Sequence, residues 1–414
     1  MRQSRFFLVI FYVFLMLEGL YAQKRVVKQL FSKIDLEPQF ELPDGNKIAL
    51  MGYTELLGQS ISIPGPLLEF GEGDSVTLIL NNYSQGAPHT IHLHGLDANQ
   101  ANDGVPELSF SVKHLEQGKY EFVAKHPGTY LYHCHVVSPI HVQAGMYGVI
   151  VIHPKLYGKI YGYSYEGKEY TFLTSEIDTH WHTKEFIQHA YDSNHTEISI
   201  PDYHPQYLML NGKSNSDFLF DHIEVFSDYP RRHYNSLLHF ANIGNCGNRF
   251  IFPSGFLARV VSTDGRPIPE GVDTVNILEV MPGERYDILL SNESLDNLLD
   301  SGIILVEYFD LNNSKVLGVQ KIRIVHIDLP VVEKHVKQHA RIFPNPTSDI
   351  FEITLGKIKV DQVKKTTLIS IDGNKLKSYE SFQKSFDLTG FPDGVYILQL
   401  HFDQTISTHK IIKH

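Results

Sequence analysis

Eight of the chain's 23 histidines fall between His89 and His141. Two short stretches hold most of them, His89-Thr90-Ile91-His92-Leu93-His94 and Tyr132-His133-Cys134-His135, and His141 and Met146 follow closely. Side chains alternate between the two faces of a strand. If both stretches are strands, His92 and His94 share a face and His89 takes the other, while His133 and His135 share a face opposed by Cys134. Paired side by side, the strands gather four imidazoles on one side and set His89 beside Cys134 on the other. A single histidine of this kind is commonly a plain buried or surface side chain, and a lone cysteine a small core residue. The joint parity of both stretches argues instead for two metal sites, back to back.

Each site has its own chemistry. With His141 and Met146 closing over it, the Cys134 side offers one thiolate, two imidazoles and a thioether. That is the ligand set of a blue-copper electron-transfer centre, with Met as the weak axial ligand. Soft sulfur selects copper over magnesium, calcium or manganese. The other side offers His92, His94, His133 and His135, nitrogen donors suited to copper, zinc, iron or nickel; beside a blue-copper site, copper is the parsimonious choice. Asp103, in Asp103-Gly104-Val105-Pro106, reads equally as a general acid relaying protons to the cluster or as a turn-forming Asp before Gly.

Such ligands need a rigid scaffold. Strand-like runs at 75–80, 119–124, 129–135 and 147–152 are bounded by Gly, Pro, Asn or Asp, with no long helical pattern between them, which predicts β-sandwich domains. The 42% hydrophobic content, with 25 Phe and 22 Tyr, suits packed cores, and two cysteines cannot staple the fold. A net charge of −11 gives no basic footprint for nucleic acid. Length leaves room for two or three domains. Residues 1–22 carry Arg2 and Arg5, an apolar run from Phe6 to Leu17 and a cut site after Ala22, the pattern of a secretory signal rather than a membrane span. The expected organisation is then a metal-bearing domain at 26–154 and a second strand-rich domain at 165–330, entered through a Tyr- and Gly-rich bridge. A polar linker over 331–340 leads to a compact unit at 341–414.

That last unit, with Phe343-Pro344-Asn345-Pro346, Asp372-Gly373, Asp393-Gly394-Val395-Tyr396-Ile397-Leu398 and the ending Lys410-Ile411-Ile412-Lys413, resembles the C-terminal sorting domain of the type IX secretion pathway. The resemblance implies a small β-sandwich, the type IX machinery as partner, export through the outer membrane, and no part in the chemistry. Residues 40–330 resemble the multicopper oxidase family. The motifs are Pro64-Gly65-Pro66, Glu72-Gly73-Asp74, His92-Leu93-His94-Gly95, Asp103-Gly104-Val105-Pro106, Gly128-Thr129-Tyr130-Leu131-Tyr132-His133-Cys134-His135 and Gly145-Met146-Tyr147-Gly148. This implies an all-β fold of two cupredoxin-like Greek-key sandwiches. It also implies a type 1 copper on His89, Cys134, His141 and Met146, and half of a trinuclear cluster on His92, His94, His133 and His135.

Family members add four further histidines from a later domain or from the second domain of a neighbouring subunit. The second domain departs from that pattern, because Phe250-Ile251-Phe252-Pro253-Ser254-Gly255-Phe256 and Tyr308-Phe309-Asp310 stand where alternating histidines would sit. It resembles the copper-free middle domain of three-domain oxidases. His180-Trp181-His182 would put two imidazoles on one face if it is a strand, and His189, His195 and His204 follow; Cys246 reads as a structural thiol. Three functions stay open. The first is a laccase-like oxidase passing electrons from a small reducing substrate to dioxygen. The second is a nitrite-reductase-like enzyme with a type 2 copper on His94, His133 and a neighbour's histidine. The third is an electron carrier with a degenerate second site. Either enzyme calls for ligands from a neighbour, most simply in a homotrimer.

Overall fold

The computed structural model describes residues 24–86, 88–156, 158–165, 168–191, 200, 202–214, 223–228, 232–269, 274–292, 301–328, 340–355, 359–370, 374–402 and 406–413. The signal at 1–22, nearly all of the 331–340 linker, Asp372-Gly373 and His195 lie outside these residues, as does the side chain of His189.

Alternating runs such as Ser75-Val76-Thr77-Leu78-Ile79-Leu80 bury every second side chain, as a strand with one face on a core requires. Eight strands make the first sandwich: β1 (Arg25–Glu41), β2 (Lys47–Thr54), β3 (Leu68–Gly71), β4 (Ser75–Asn82), β5 (His92–His94), β6 (Gln117–Val123), β7 (Gly128–His133) and β8 (Tyr147–His153). One sheet runs β2-β1-β4-β6 and the other β3-β8-β7-β5. Between them Leu30, Met51, Leu78, Tyr120, Tyr132 and Ile150 form the core. A short helix, α1 (Ser138–Gln143), joins β7 to β8.

The second sandwich repeats the plan with longer sheets. In one, 207–210, 169–177, 236–242, 285–292, 256–263 and 266–267 lie in that order. The facing sheet contains 223–228, 316–328, 301–309, 247–251 and 277–280, again in that order. Its core is aromatic, with Phe240 4.3 Å from Phe250 and 6.3 Å from Phe252 between ring centroids. Outer faces of β7 and β8 also meet this domain, where Leu131, Tyr147, Val149 and Val151 pack with Leu173, Ile177, Met209 and Ala241. The C-terminal unit is a separate small sandwich. Sheets of 340–343, 350–355 and 385–387, and of 375–379, 365–370, 394–401 and 406–413, close on stacked Phe351 and Phe386. The fold is all-β, as the strand pattern predicted.

Local differences from the sequence reading matter near the histidines. Neither stretch is a full strand. β5 spans only His92–His94, and His89 sits in an isolated bridge to Val112. β7 ends at His133; past it the Cys134 amide donates to the Met146 carbonyl and the His135 amide to the Thr90 hydroxyl. His180-Trp181-His182 is not a strand but a 3-10 turn, because the Asp178 side chain caps it by accepting the His180 amide. His180 and His204 are exposed, whereas His182 is buried with Nδ1 donating to the Ala49 carbonyl at 2.9 Å. The shared imidazole face expected of that segment does not form.

Candidate metal centre

Pairing of β5 with β7 sets His92 opposite His133 and His94 opposite Leu131, so the histidines project from one face while Leu93 turns into the core. Ligand atoms of His92, His94 and His133 lie within 4.8 Å of one another. The His135 ring is 5.2 Å from that of His92 and 6.0 Å from that of His133, at the margin of this group. On the opposite face the ligand atoms of His89, Cys134 and His141 also fall within 4.8 Å of one another, all buried. Two clusters therefore stand back to back, divided at the Cys134 backbone.

The backbone holds the buried cluster closed. The Cys134 amide donates to Met146, and the Met146 amide donates to the His141 carbonyl at 2.9 Å, so strand end, helix and β8 entry are tied at three of the four predicted positions. Thr90 joins the fourth, since it follows His89 and its hydroxyl accepts the His135 amide. The Met146 side chain is buried in the same core as Cys134. His89 Nδ1 is 3.7 Å and His141 Nδ1 3.3 Å from Cys134 Sγ. Metal–sulfur and metal–imidazole bonds of roughly 2.3 and 2.0 Å, about 120° apart, would separate S and N by about 3.7 Å. The three atoms are thus already spaced for one trigonal ion.

In the open cluster the outer nitrogens are spoken for. His92 Nδ1 donates to the Asp103 carbonyl at 2.8 Å and His133 Nδ1 to the Cys134 carbonyl at 3.0 Å, which leaves both Nε2 atoms as donors to a metal. His94 Nδ1 faces His133 Nε2 at 3.3 Å. Asp103 reaches His92 chiefly through its backbone, its carboxylate lying 3.6 Å from Nδ1. Gly104 makes this turn; at φ +79° it is left-handed, and a Cβ would collide with the Ile91 carbonyl.

Electrostatics favour the neutral, ligating form. Burial pushes His133 down to about 3, and burial followed by the Arg285 charge pushes His94 down to about 4. Burial, then the neighbouring His141, holds His89 well below the ordinary histidine range. Burial also raises the Cys134 thiol, so a metal must displace its proton. The donor set and its protonation fit a soft ion at the Cys134 site and an imidazole-bound ion at the other.

His94 and His133 open onto a cavity of about 320 Å³ whose far wall is the second domain, including Glu176, Gly244, Asn245 and Gly283. Tyr147 Oη donates to Ser175 Oγ at 2.9 Å, and Gln143 Nε2 to the Glu176 carbonyl at 2.8 Å, across this boundary. Sequence reasoning missed the wall. Glu176 carried no local signal in the sequence.

Together these features define a cupredoxin-type sandwich with a blue-copper donor set and an adjoining histidine cluster. Comparison with known proteins makes the class specific: residues 46–156 match the multicopper oxidase family model, and residues 341–414 match the secretion system C-terminal sorting domain. The first sandwich is a multicopper oxidase domain, of a family that binds copper, and the tail is a sorting domain of the type IX export route. Copper resistance protein A of Pseudomonas syringae pv. tomato is 39% identical over 119 residues, 28% of this chain and 18% of that protein. A copper-containing nitrite reductase of Neisseria meningitidis is 34% identical over 96 residues, 22% of this chain and 24% of the reductase. The chain thus spans under a quarter of the length of these relatives. The blue copper oxidase of Nitrosomonas europaea superposes with a TM-score of 0.53 at 23% identity, covering 73% of this chain and 86% of that one. A likeness at that identity establishes the fold.

Proposed function

We propose that the protein is an exported copper oxidoreductase, laccase-like, that takes single electrons from a small reducing substrate at His89, Cys134, His141 and Met146. Electrons would leave through Cys134 to its chain neighbours His133 and His135, which with His92 and His94 form the half-cluster at which dioxygen would be reduced. The observation that carries this reading is the pair of back-to-back ligand clusters sharing the Cys134 backbone. Copper, when bound, supplies the one-electron redox steps; the chain spaces the donors, keeps the imidazoles neutral and excludes water from the thiolate. The second sandwich holds Phe240, Phe250 and Phe252 in its core. The remaining histidine ligands would come from a neighbouring copy, in a homotrimer. With the signal at 1–22 and the tail at 341–414, export ends at the cell surface or in the medium.

A second reading is favoured by the nitrite reductase relatives. In it, His94 and His133, with a histidine from a neighbouring copy, hold a single copper that reduces nitrite. Oxygen uptake and nitrite consumption by the copper-loaded protein with a reducing dye separate the two. Dioxygen turnover supports the oxidase and nitrite turnover the reductase; a blue protein inert toward both is an electron carrier.

A further inference from the structure

The four side chains of the Cys134 cluster are sealed from solvent. His89, Cys134, His141 and Met146 are each 0% exposed, so a reducing molecule cannot touch a ligand. An electron, unlike a molecule, can cross packed protein, and what covers the cluster decides where it enters. Part of that cover comes from the second domain. Ile140, which precedes His141 in α1, packs against Trp181, the only tryptophan in the chain. The Trp181 ring in turn meets the Tyr203 ring edge-on, with centroids 5.6 Å apart. Trp181 is 3% exposed, and its Nε1 has no hydrogen-bond partner among the described residues. A phenylalanine would fill the same place without leaving a buried donor unpaired. Packing alone does not call for the indole.

One carboxylate holds the two rings together. Asp178 Oδ1 accepts the His180 amide at 3.0 Å and Oδ2 the His204 amide at 2.6 Å, which ties the turn bearing Trp181 to the segment bearing Tyr203. Gln206 Oε1 adds a second tie by accepting the Thr179 amide at 2.8 Å. Tyr203 Oη donates to Glu176 Oε2 at 3.2 Å, which fixes the far ring. Beyond Tyr203 lies a cavity of about 800 Å³, large enough for an aromatic molecule. Tyr203, Leu311 and Leu317 give it apolar surface, Asp202 and Asp310 give it negative charge, and no Lys or Arg is among the described residues that line it. The inner cavity of about 320 Å³ also touches α1, but it opens on His94 and His133, on the acceptor side. A donor bound there would compete with the acceptor.

We propose that the outer cavity binds the reducing substrate, an uncharged or cationic aryl amine or phenol, and that its electron enters through Tyr203, Trp181 and Ile140 to His141. This rests on the reading of the Cys134 cluster as a type 1 copper. Each donor molecule loses one electron, cupric copper becomes cuprous, and the proton of a phenolic donor passes to water in the cavity. Tyr203 and Trp181 are not themselves oxidised; they are the medium the electron crosses.

The test uses the full-length, copper-loaded protein with N,N-dimethyl-p-phenylenediamine as donor. Under argon, with all copper reduced so that no electron can pass, the diamine should quench the fluorescence of Trp181 saturably. Leu317→Arg, at a position 41% exposed, puts a bulky cation into the cavity. It should raise both the quenching midpoint and the KM by about tenfold or more, with the blue absorption unchanged. Trp181→Leu should keep its copper and its blue absorption, while bleaching of the oxidised protein at saturating diamine slows by about tenfold or more, with Trp181→Phe in between. Absence of saturable quenching, a wild-type KM in Leu317→Arg, or a wild-type bleaching rate in Trp181→Leu would overturn the proposal. Failure of the underlying reading looks different: the wild type would never turn blue, and the electron route would fall with it, whereas the diamine would still quench Trp181.

Discussion

The first and second sandwiches share a plan and differ in what occupies their interiors. In the first, the ends of β5 and β7 carry histidines on both faces around a buried thiol. In the second, the strands around Phe240, Phe250 and Phe252 close on tilted and edge-on aromatic rings. Both solutions are stable because burial keeps the ligand imidazoles neutral, so they pack with modest penalty until a metal arrives. The fold therefore permits a metal centre without requiring one, and the chemistry resides in a handful of side chains.

The contrast can be broken most completely at Cys134. Cys134→Ser should abolish the blue absorption while copper on the open histidine cluster remains; surviving colour would refute the assignment. Next in size, His92→Ala should spare the colour and remove both the second class of copper and acceptor turnover, as read by metal analysis and oxygen or nitrite consumption. In the other sandwich, Phe250→Ala should cost about 3–5 kcal/mol in denaturant unfolding, with the absorption of the folded, copper-loaded protein unchanged.

A smaller effect lies where the two domains meet. Thr129 Oγ1 donates to Asp287 Oδ1 at 2.5 Å, and His239 bridges Asp287, at 2.7 Å, and Glu169, which also pairs with His153 at 2.8 Å. Burial works against the His239 charge, but these carboxylates outweigh it and hold the pKa at about 9, above the ordinary 6.5. Stability from the charged imidazole is therefore complete below about pH 6.5 and lost as pH rises through about 9. Burial would raise Glu169, yet His153, His239 and Tyr165 carry it below the usual range, so its contribution is present above about pH 4.5 and lost in acid. Thermal unfolding of wild type should thus decline more steeply from pH 6.5 to 9 than that of His239→Gln; parallel curves would contradict the ion-pair account. The smallest effect is expected of Asp103→Asn. The backbone carbonyl already holds His92, so activity should fall by no more than about tenfold, and a larger loss would make the carboxylate the relay.

Residue parity made the two clusters legible in the sequence, even though the strands carrying them are shorter than expected. Cys134 and His135 continue the alternation of β7 for two residues beyond its ladder. His180 and His182 do not share a strand face, because a single capping side chain, Asp178, makes that run a 3-10 turn. Glu176 and His239 left no local mark, because their partners lie 27 or more residues away and only the folded second domain brings them together. Motif spacing reports what neighbours in the chain can do, and these groups have their neighbours in space.

Copper per chain, measured together with absorption and paramagnetic resonance spectra on the purified protein, addresses the central claim most directly. The account predicts a blue type 1 signal and additional copper on the histidine cluster, more than one ion per chain. One uncoupled blue copper, with nothing bound at His92, His94, His133 and His135, would contradict it.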